Sequence, residues 1–404
     1  MTEATPPRMY FPRDEYEDRW RRVYEEMGRR GYEAAVVWSR SGGTHDACGD
    51  VLWLTNYYAA SSGAEPDSAT IQGRPWSSAI LANGEPPELH VPQPIPAELL
   101  AVDRIEWHFD VVAGTAEALR RRGIRGKVAM VGEWLLPLKY GRGLEQAAPQ
   151  VSFEPQDDVV MAMRRIKSPR ELECYREAGK IVTAGLDALM DALVAGESEA
   201  EAAARAAYEV VRRGGNYHMI PVTSGPYIDD WCTEPLNGYS LRTPRTGELV
   251  RAWVYGPIWQ GYWLDPGRTA VVGRRPTVEQ KDLIEAAQEI VDSVIAEVRP
   301  GIRVTEVAAI GERMRESATD SDDVASRLWP LLGHGVGIGW EGPDISTVLA
   351  DGGTDDRAVF EAGMVLGVET FVARKGVGSA GIEQNVIVRE RGTELLTTTP
   401  TAFW

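Results

Sequence analysis

"YGPIWQGYWLDPGRTAVVG", residues 255–273, has the alternation and turn residues of two strands, with Gly261 near the bend. Near its end stands one carboxylate, Asp265, among Tyr255, Trp259, Tyr262 and Trp263. An acid inside apolar strand sequence is costly unless it is paired, protonated or bound to a cation. Asp265 therefore needs a partner elsewhere in the chain.

Three other residues with suitable chemistry lie in turn- or strand-like sequence of the second half. They are His334 in "LGHGVGIG", Glu369 in "VLGVETF" and Glu383 in "GIEQNV". One imidazole and three carboxylates suit a divalent metal such as Mn, Fe, Co or Zn. Each residue alone also has a plainer reading. A histidine after glycine serves in turns, and a glutamate in a strand usually sits on its wet face. Spacing by itself leaves a shared site open.

The chain has 404 residues, which points to two domains. Its 43% hydrophobic and 25% charged composition is that of a globular protein with a proper core. A net charge of −17 argues against nucleic acid or an anionic membrane as partner and leaves a small-molecule substrate. Cys48, Cys174 and Cys232 are far apart and odd in number, which fits a reduced compartment. The polar, acidic start of the sequence is not a signal peptide, and no apolar run reaches the roughly 18–20 residues of a membrane span. A cytoplasmic location is the expectation.

The fold class expected is α/β (α+β), with a small α/β domain over residues 1–163 and a second domain over 164–404. "DRWRRVYEEMGRRGY" reads as a helix with Trp20, Val23, Tyr24 and Met27 on one face. "AAVVWS" and "VLWLTNYY" read as strands, and "SSAILANG" and "PELHV" as two more, joined by a turn at Asn83-Gly84. "TAEALRRRGI" and "KVAMVG" add a helix and a strand. In the second half, Ser168 with Glu171, Ser198 with Glu201, and Thr277 with Gln280 have capping-box spacing and open three helices. "YHMIPVTSG" reads as a strand, a fourth helix begins near Thr305, and "GMVLGVETFVA" and "GIEQNVIVRERG" read as late antiparallel strands.

From about residue 164 the sequence resembles the creatinase, aminopeptidase P and prolidase family. "RRIKSPRELECYREAGKI", "GYWLDPGRTAVVG", "LGHGVGIG", "EAGMVLGVETFV" and "GIEQNVIV" resemble its motifs in the expected order. The resemblance implies a pita-bread fold for the second half, a non-catalytic N-terminal domain, and a homodimer with the partner's N-terminal domain near the active site. It also implies a dinuclear metal site of two aspartates, a histidine and two glutamates in the peptidases. Carried over, Asp265 is the second aspartate, His334 the histidine, and Glu369 and Glu383 the glutamates. The first aspartate belongs eleven residues before Asp265, where this chain has Val254, flanked by Trp253 and Tyr255. Asp265 has thus lost that partner. The expectation is one divalent ion on Asp265, His334, Glu369 and Glu383, or no metal, as in creatinase.

Creatinase uses a loop histidine as proton shuttle. The matching segment here, "SGPYIDDWCTEPLNG", offers Cys232, Thr233 and Glu234 but no histidine. His218, in "NYHMIPVTSG", is the nearest substitute, though it also reads as a residue lining a strand. The same segment and the tail resemble the dimethylsulfoniopropionate lyase branch. That branch carries an acid six places after the metal histidine, where this chain has Trp340 followed by Glu341.

The chain has 13 Trp against 6 Phe, and Trp231, Trp259, Trp263 and Trp340 fall in segments the fold brings toward the pocket. Indole faces attract cations, so these residues with the acids fit a guanidinium, quaternary ammonium or sulfonium; core packing is the plainer alternative. Arg74 is a candidate clamp for a substrate carboxylate, and Cys232 a candidate nucleophile without an adjacent base. The reading drawn from these residues is a non-peptidase hydrolase, creatinase-like, cleaving a C–N bond of a small charged substrate. Its catalytic groups would be His334, Glu369, Glu383 and His218. The alternatives are a metal-dependent Xaa-Pro aminopeptidase or prolidase, a lyase on an onium substrate, and an inactive binding module.

Overall fold

The computed structural model describes residues 9–40, 49–58, 67–68, 73–321, 324, 328–347 and 357–401. Cys48 lies outside them. The chain divides into two compact units, Met1–Arg164 and Arg165–Trp404. No described helix is long and apolar enough to cross a membrane.

In the first unit, helix α1 (Arg13–Arg30) buries Tyr16, Trp20, Val23 and Met27 along one stripe. It stops at Gly31, whose φ of 76° suits glycine at a helix end. Then come β1 (Ala34–Arg40), α2 (Gly49–Thr55), β2 (Trp76–Ala82), β3 (Glu88–Val91), β4 (Arg104–Trp107), α3 (Val111–Arg121), β5 (Lys127–Val131), α4 (Leu138–Ala147), β6 (Ser152–Pro155) and α5 (Asp158–Arg164). The strands form one sheet in the order β4-β3-β2-β1-β5-β6. Asn83 and Gly84, with φ of 60° and 68°, make the tight turn between β2 and β3.

The expected strand "VLWLTNYY" is a correction: residues 49–55 form helix α2. A short apolar run has no period of its own, and here side chains of other elements bond it. Ser39 Oγ accepts from Val51 N, while Arg19 and the Trp20 indole donate to the carbonyls of Trp53 and Leu54.

The second unit opens with α6 (Pro169–Ala195) and α7 (Glu199–Val211), both with complete capping boxes. It continues through β7 (Val222–Ser224), β8 (Leu249–Trp253), β9 (Gly256–Trp259), β10 (Tyr262–Leu264), β11 (Gly267–Val271), α8 (Val278–Glu297) and α9 (Val304–Ala318). The last elements are β12 (Gly333–Gly337), β13 (Gly339–Asp344), β14 (Val365–Arg374), β15 (Gly378–Val388) and β16 (Thr393–Leu395). The main sheet runs β13-β12-β14-β15-β11-β8-β7, with β16 on β15, and β9 and β10 form a separate ribbon. The quoted stretch is therefore three strands where the alternation showed two. Gln260 and Gly261, at φ of 53° and 86°, turn the ribbon. The strand expected across "YHMIPVTSG" shortens to β7, and Met219 pairs Tyr255 as an isolated bridge.

Alternation along β14 and β15 decides what faces what. Leu366, Val368 and Val372, with Ala380, Ile382 and Val386, pack on Ile284, Ile290, Val291 and Val294 of α8 in one apolar core. The odd-numbered residues, Glu369 and Glu383 among them, take the other face.

A buried histidine of the first unit rests on a half-buried one. His90 of β3 is fully buried, stacks on His108 with ring centroids 5.1 Å apart, and its Nδ1 lies 2.9 Å from His108 Nε2. Burial foremost, then His108, Arg121 and Arg122, pushes His90 down to about 3. An unfolded histidine titrates near 6.5, so acid adds a proton to the unfolded chain that the folded chain refuses. Stability tied to His90 is whole above that value and drains away as pH falls toward the folded one. His90→Gln is expected to reduce the loss of Tm between pH of about 6.5 and about 4. An unchanged acid slope would contradict this role.

Candidate metal centre

Strand register places the four candidate ligands. Trp253 of β8 stands opposite Gly267 of β11, Gly267 opposite Glu383 of β15, and Glu383 opposite Glu369 of β14. A second row, two residues along, sets His334 of β12 opposite Gly367 and Gly367 opposite Asn385. Asp265, just before β11, joins this row through Asn385. Its N–H donates to Asn385 Oδ1 at 3.1 Å, and Asn385 Nδ2 donates to Asp265 Oδ1 at 2.6 Å. Steps of two along a strand keep a side chain on one face, so both rows look the same way.

The result is a buried cluster. His334 Nε2 lies 3.5 Å from Asp265 Oδ2, 3.6 Å from Glu369 Oε1 and 3.9 Å from Glu383 Oε1. All four side chains belong to residues no more than 5% exposed. Burial, and after it the charge of Asp265, lifts the carboxyls of Glu369 and Glu383 well above the ordinary range. His334 Nδ1 lies 3.2 Å from Gly335 O. A proton on Nδ1 satisfies that carbonyl and leaves the Nε2 lone pair facing the carboxylates.

Two observations test whether a cation fits. Asp265 Oδ2 and Glu383 Oε1 are buried without a hydrogen-bond partner, and both lie near His334 Nε2. Asp265, His334 and Glu383 each offer a ligand atom within 4.8 Å of the others. Gly367 also keeps the floor open. A Cβ there would lie 2.5 Å from Glu383 Oε1 and 3.0 Å from Asp265 Oδ1. Orphaned carboxylate oxygens converging on an imidazole nitrogen fit one divalent ion, with Glu369 at the edge of the group.

The other sequence-predicted residues are placed as follows. The Trp340 ring lies 4.5 Å from the His334 ring and is 44% exposed, while Glu341 pairs with buried Lys167 at 2.8 Å. His218 stands 5.6 Å from the Tyr255 ring and 5.8 Å from Trp263, and these three make one aromatic group. Trp231 packs against the Trp253 ring at 5.2 Å. Trp259 lies against Gly214. Glu234 accepts from the backbone of Leu236 and Asn237 in its own turn. Cys232 is buried, and burial with Glu234, Asp230 and Glu199 pushes its thiol up, which opposes thiolate chemistry. Arg74 is in the first unit, just before β2, half-buried.

Two neighbours of the cluster escaped the sequence reading. Asn385 follows Glu383 by two and so shares its face, a signal that alternation could have given. Trp253 enters the sequence reading only as a neighbour of Val254. Its indole Nε1 donates to Glu383 Oε2 at 2.7 Å. Val254, where spacing sets the first aspartate, is fully buried, and its Cγ1 lies 3.9 Å from where a Cβ on Gly185 of α6 would stand. It looks toward α6, and Trp253 is the residue that β8 turns to the carboxylates.

Residues 173–390 match metallopeptidase family M24. The Xaa-Pro dipeptidase of Pyrococcus horikoshii is 26% identical over 336 residues, covering 79% of this chain and 86% of that protein. The probable dipeptidase PepE of Mycobacterium tuberculosis is 29% identical over 239 residues, 58% of this chain and 59% of that one. The crystal structure of dipeptidase PepE from Mycobacterium ulcerans superposes with a TM-score of 0.75 at 22% identity, covering 98% of this chain and 99% of that one. This likeness establishes the fold, a small α/β unit followed by a pita-bread unit. The matches overturn the expectation of a creatinase-like, non-peptidase hydrolase, because the matched relatives are dipeptidases and the matched family is one of metallopeptidases.

Gly367→Ala tests the geometry of the cluster. The added methyl group is expected to fold normally yet weaken divalent-metal affinity at least ~10-fold, measured by calorimetric titration. Wild-type affinity in this variant would contradict the assignment of Asp265 and Glu383 as ligands.

Proposed function

The chain belongs to metallopeptidase family M24, and on that premise we propose that it is a divalent-metal-dependent peptidase acting on dipeptides with a C-terminal proline. The observation that carries this reading is the pair of unpartnered carboxylate oxygens, on Asp265 and Glu383, facing the His334 imidazole in a buried pocket. The substrate class is taken from the relatives, of which the Pyrococcus horikoshii protein is an Xaa-Pro dipeptidase.

Asp265, His334, Glu369 and Glu383 are the proposed ligands, and Mn, Fe, Co and Zn suit that donor set. When bound, such an ion supplies Lewis acidity toward a peptide carbonyl and lowers the pKa of water. The protein supplies the rest. The Asn385 side chain holds Asp265 twice, its Oδ1 accepting from the Asp265 backbone N–H and its Nδ2 donating to the carboxylate. Glu369, whose carboxyl is raised by burial and by Asp265, is suited to take a proton from the attacking water and hand it to the leaving nitrogen. His218, Tyr255 and Trp263 offer an aromatic wall for the prolyl ring, and Trp340 covers the imidazole of His334. Family resemblance adds a homodimer to this reading. A reduced, cytoplasmic setting, expected from three widely spaced cysteines, goes with this reading.

Hydrolysis of a panel of Xaa-Pro dipeptides, followed with chelated protein and again after adding Mn²⁺ or Co²⁺, tests the reading. Turnover is expected only with metal. Glu369→Gln is expected to lower kcat by about 10²–10⁴-fold when measured at Mn²⁺ concentrations that saturate the site. Failure of the metal-loaded protein to cleave any of these dipeptides would contradict the proposal.

A further inference from the structure

Trp253 has a use that the proposed chemistry leaves unassigned. Its indole is 1% exposed and donates to Glu383 Oε2, so the two oxygens of that carboxylate are divided. Oε2 is committed to the indole, and Oε1 faces His334. A carboxylate that bridges two ions gives an oxygen to each. An indole N–H is a donor with no acceptor capacity, so it cannot turn to welcome a cation.

The ring is also held in place. It stacks on Phe371 at 5.4 Å and 20°, and Trp231 packs against it at 5.2 Å. The strands leave room for it by omitting side chains: a Cβ on Gly267 would lie 2.0 Å from the indole, and one on Gly381 would lie 2.9 Å from it. The Arg251 guanidinium, fully buried, sits 5.9 Å from the Trp253 ring centroid. The position that the family resemblance gives to a first aspartate holds Val254, which is buried toward α6. Among the described residues, Asp265, His334 and Glu383 are the one group with metal-ligand spacing.

We propose that Trp253 fills the place a second ion would need and confines the centre to one ion, held with Glu383 as a one-oxygen ligand. This rests on the reading of Asp265, His334, Glu369 and Glu383 as metal ligands. Trp253 is then a positioning residue that aims Glu383 Oε1 at the ion by holding Oε2.

The experiment is metal stoichiometry and affinity, by elemental analysis and calorimetric titration with Mn²⁺, on the full chain and on variants. The wild-type chain is expected to bind one ion. Two ions would overturn the inference and leave the ligand assignment standing. No ion would overturn both, so the two failures are distinguishable. Trp253→Phe keeps the ring packing and removes the N–H. It is expected to bind one ion about 10–100-fold more weakly, while the metal-free protein stays folded with a lowered Tm. Unchanged affinity would overturn the positioning role. Trp253→Asp puts a carboxylate in the row of Glu383 and is expected to admit a second ion. A folded Trp253→Asp chain that still binds one would overturn the claim that the indole is what excludes it. Should that variant fail to fold, the wild-type stoichiometry and the Phe variant decide.

Discussion

Three carboxylates and an imidazole share one buried pocket, and most of the second unit is arranged to make that tolerable. Removing an ion from water costs several kcal/mol even after relaxation. The cost is offset in different ways at each residue. Asp265 is held by both polar groups of Asn385, and Glu383 is held on one oxygen by the Trp253 indole. Burial, and after it the charge of Asp265, makes Glu369 and Glu383 resist ionisation. What remains is two carboxylate oxygens, on Asp265 and Glu383, that face His334 Nε2 and accept no hydrogen bond from a neighbouring donor group. A divalent ion answers that residue of charge with one particle.

The sheet supplies the precision. Glu369 and Glu383 face each other across β14 and β15, and their even-numbered neighbours lock the same strands onto α8. A slip of one residue would send the acids into the apolar core and the valines into the pocket. The fold is thus tied to the site through register. Glycine does the complementary work: Gly367 leaves space above the carboxylates, and Gly267 leaves space for the indole. Side chains absent at these two positions shape the pocket as much as those present.

Much of this was legible in the sequence. The capping boxes at Ser168, Ser198 and Thr277 mark their helices because the cap is local chemistry. Asp265, His334, Glu369 and Glu383 stood out as polar residues in apolar or glycine-rich runs, and the structure brings the four together. Trp253 was illegible for a physical reason. Counting back from Asp265 lands on Val254, but which residue of a strand faces the site depends on pairing, and pairing is not local. Helix α2 was misread as a strand because its short apolar run fits either, and contacts from α1 and β1 decide. The tryptophan content was read toward a cationic ligand. Trp253 instead serves the site as a hydrogen-bond donor, and Trp263 packs beside His218 and Tyr255. The substrate class lay beyond composition altogether; the peptidase reading stood in the sequence as an alternative, and the relatives favour it over the creatinase-like one.

Anomalous diffraction at the manganese edge, from crystals grown with Mn²⁺, tests the central claim most directly. The account predicts one peak, bounded by Asp265, His334, Glu369 and Glu383, with the Trp253 indole still on the far oxygen of Glu383. Two peaks sharing Glu383, or a filled pocket with no anomalous signal, would contradict it.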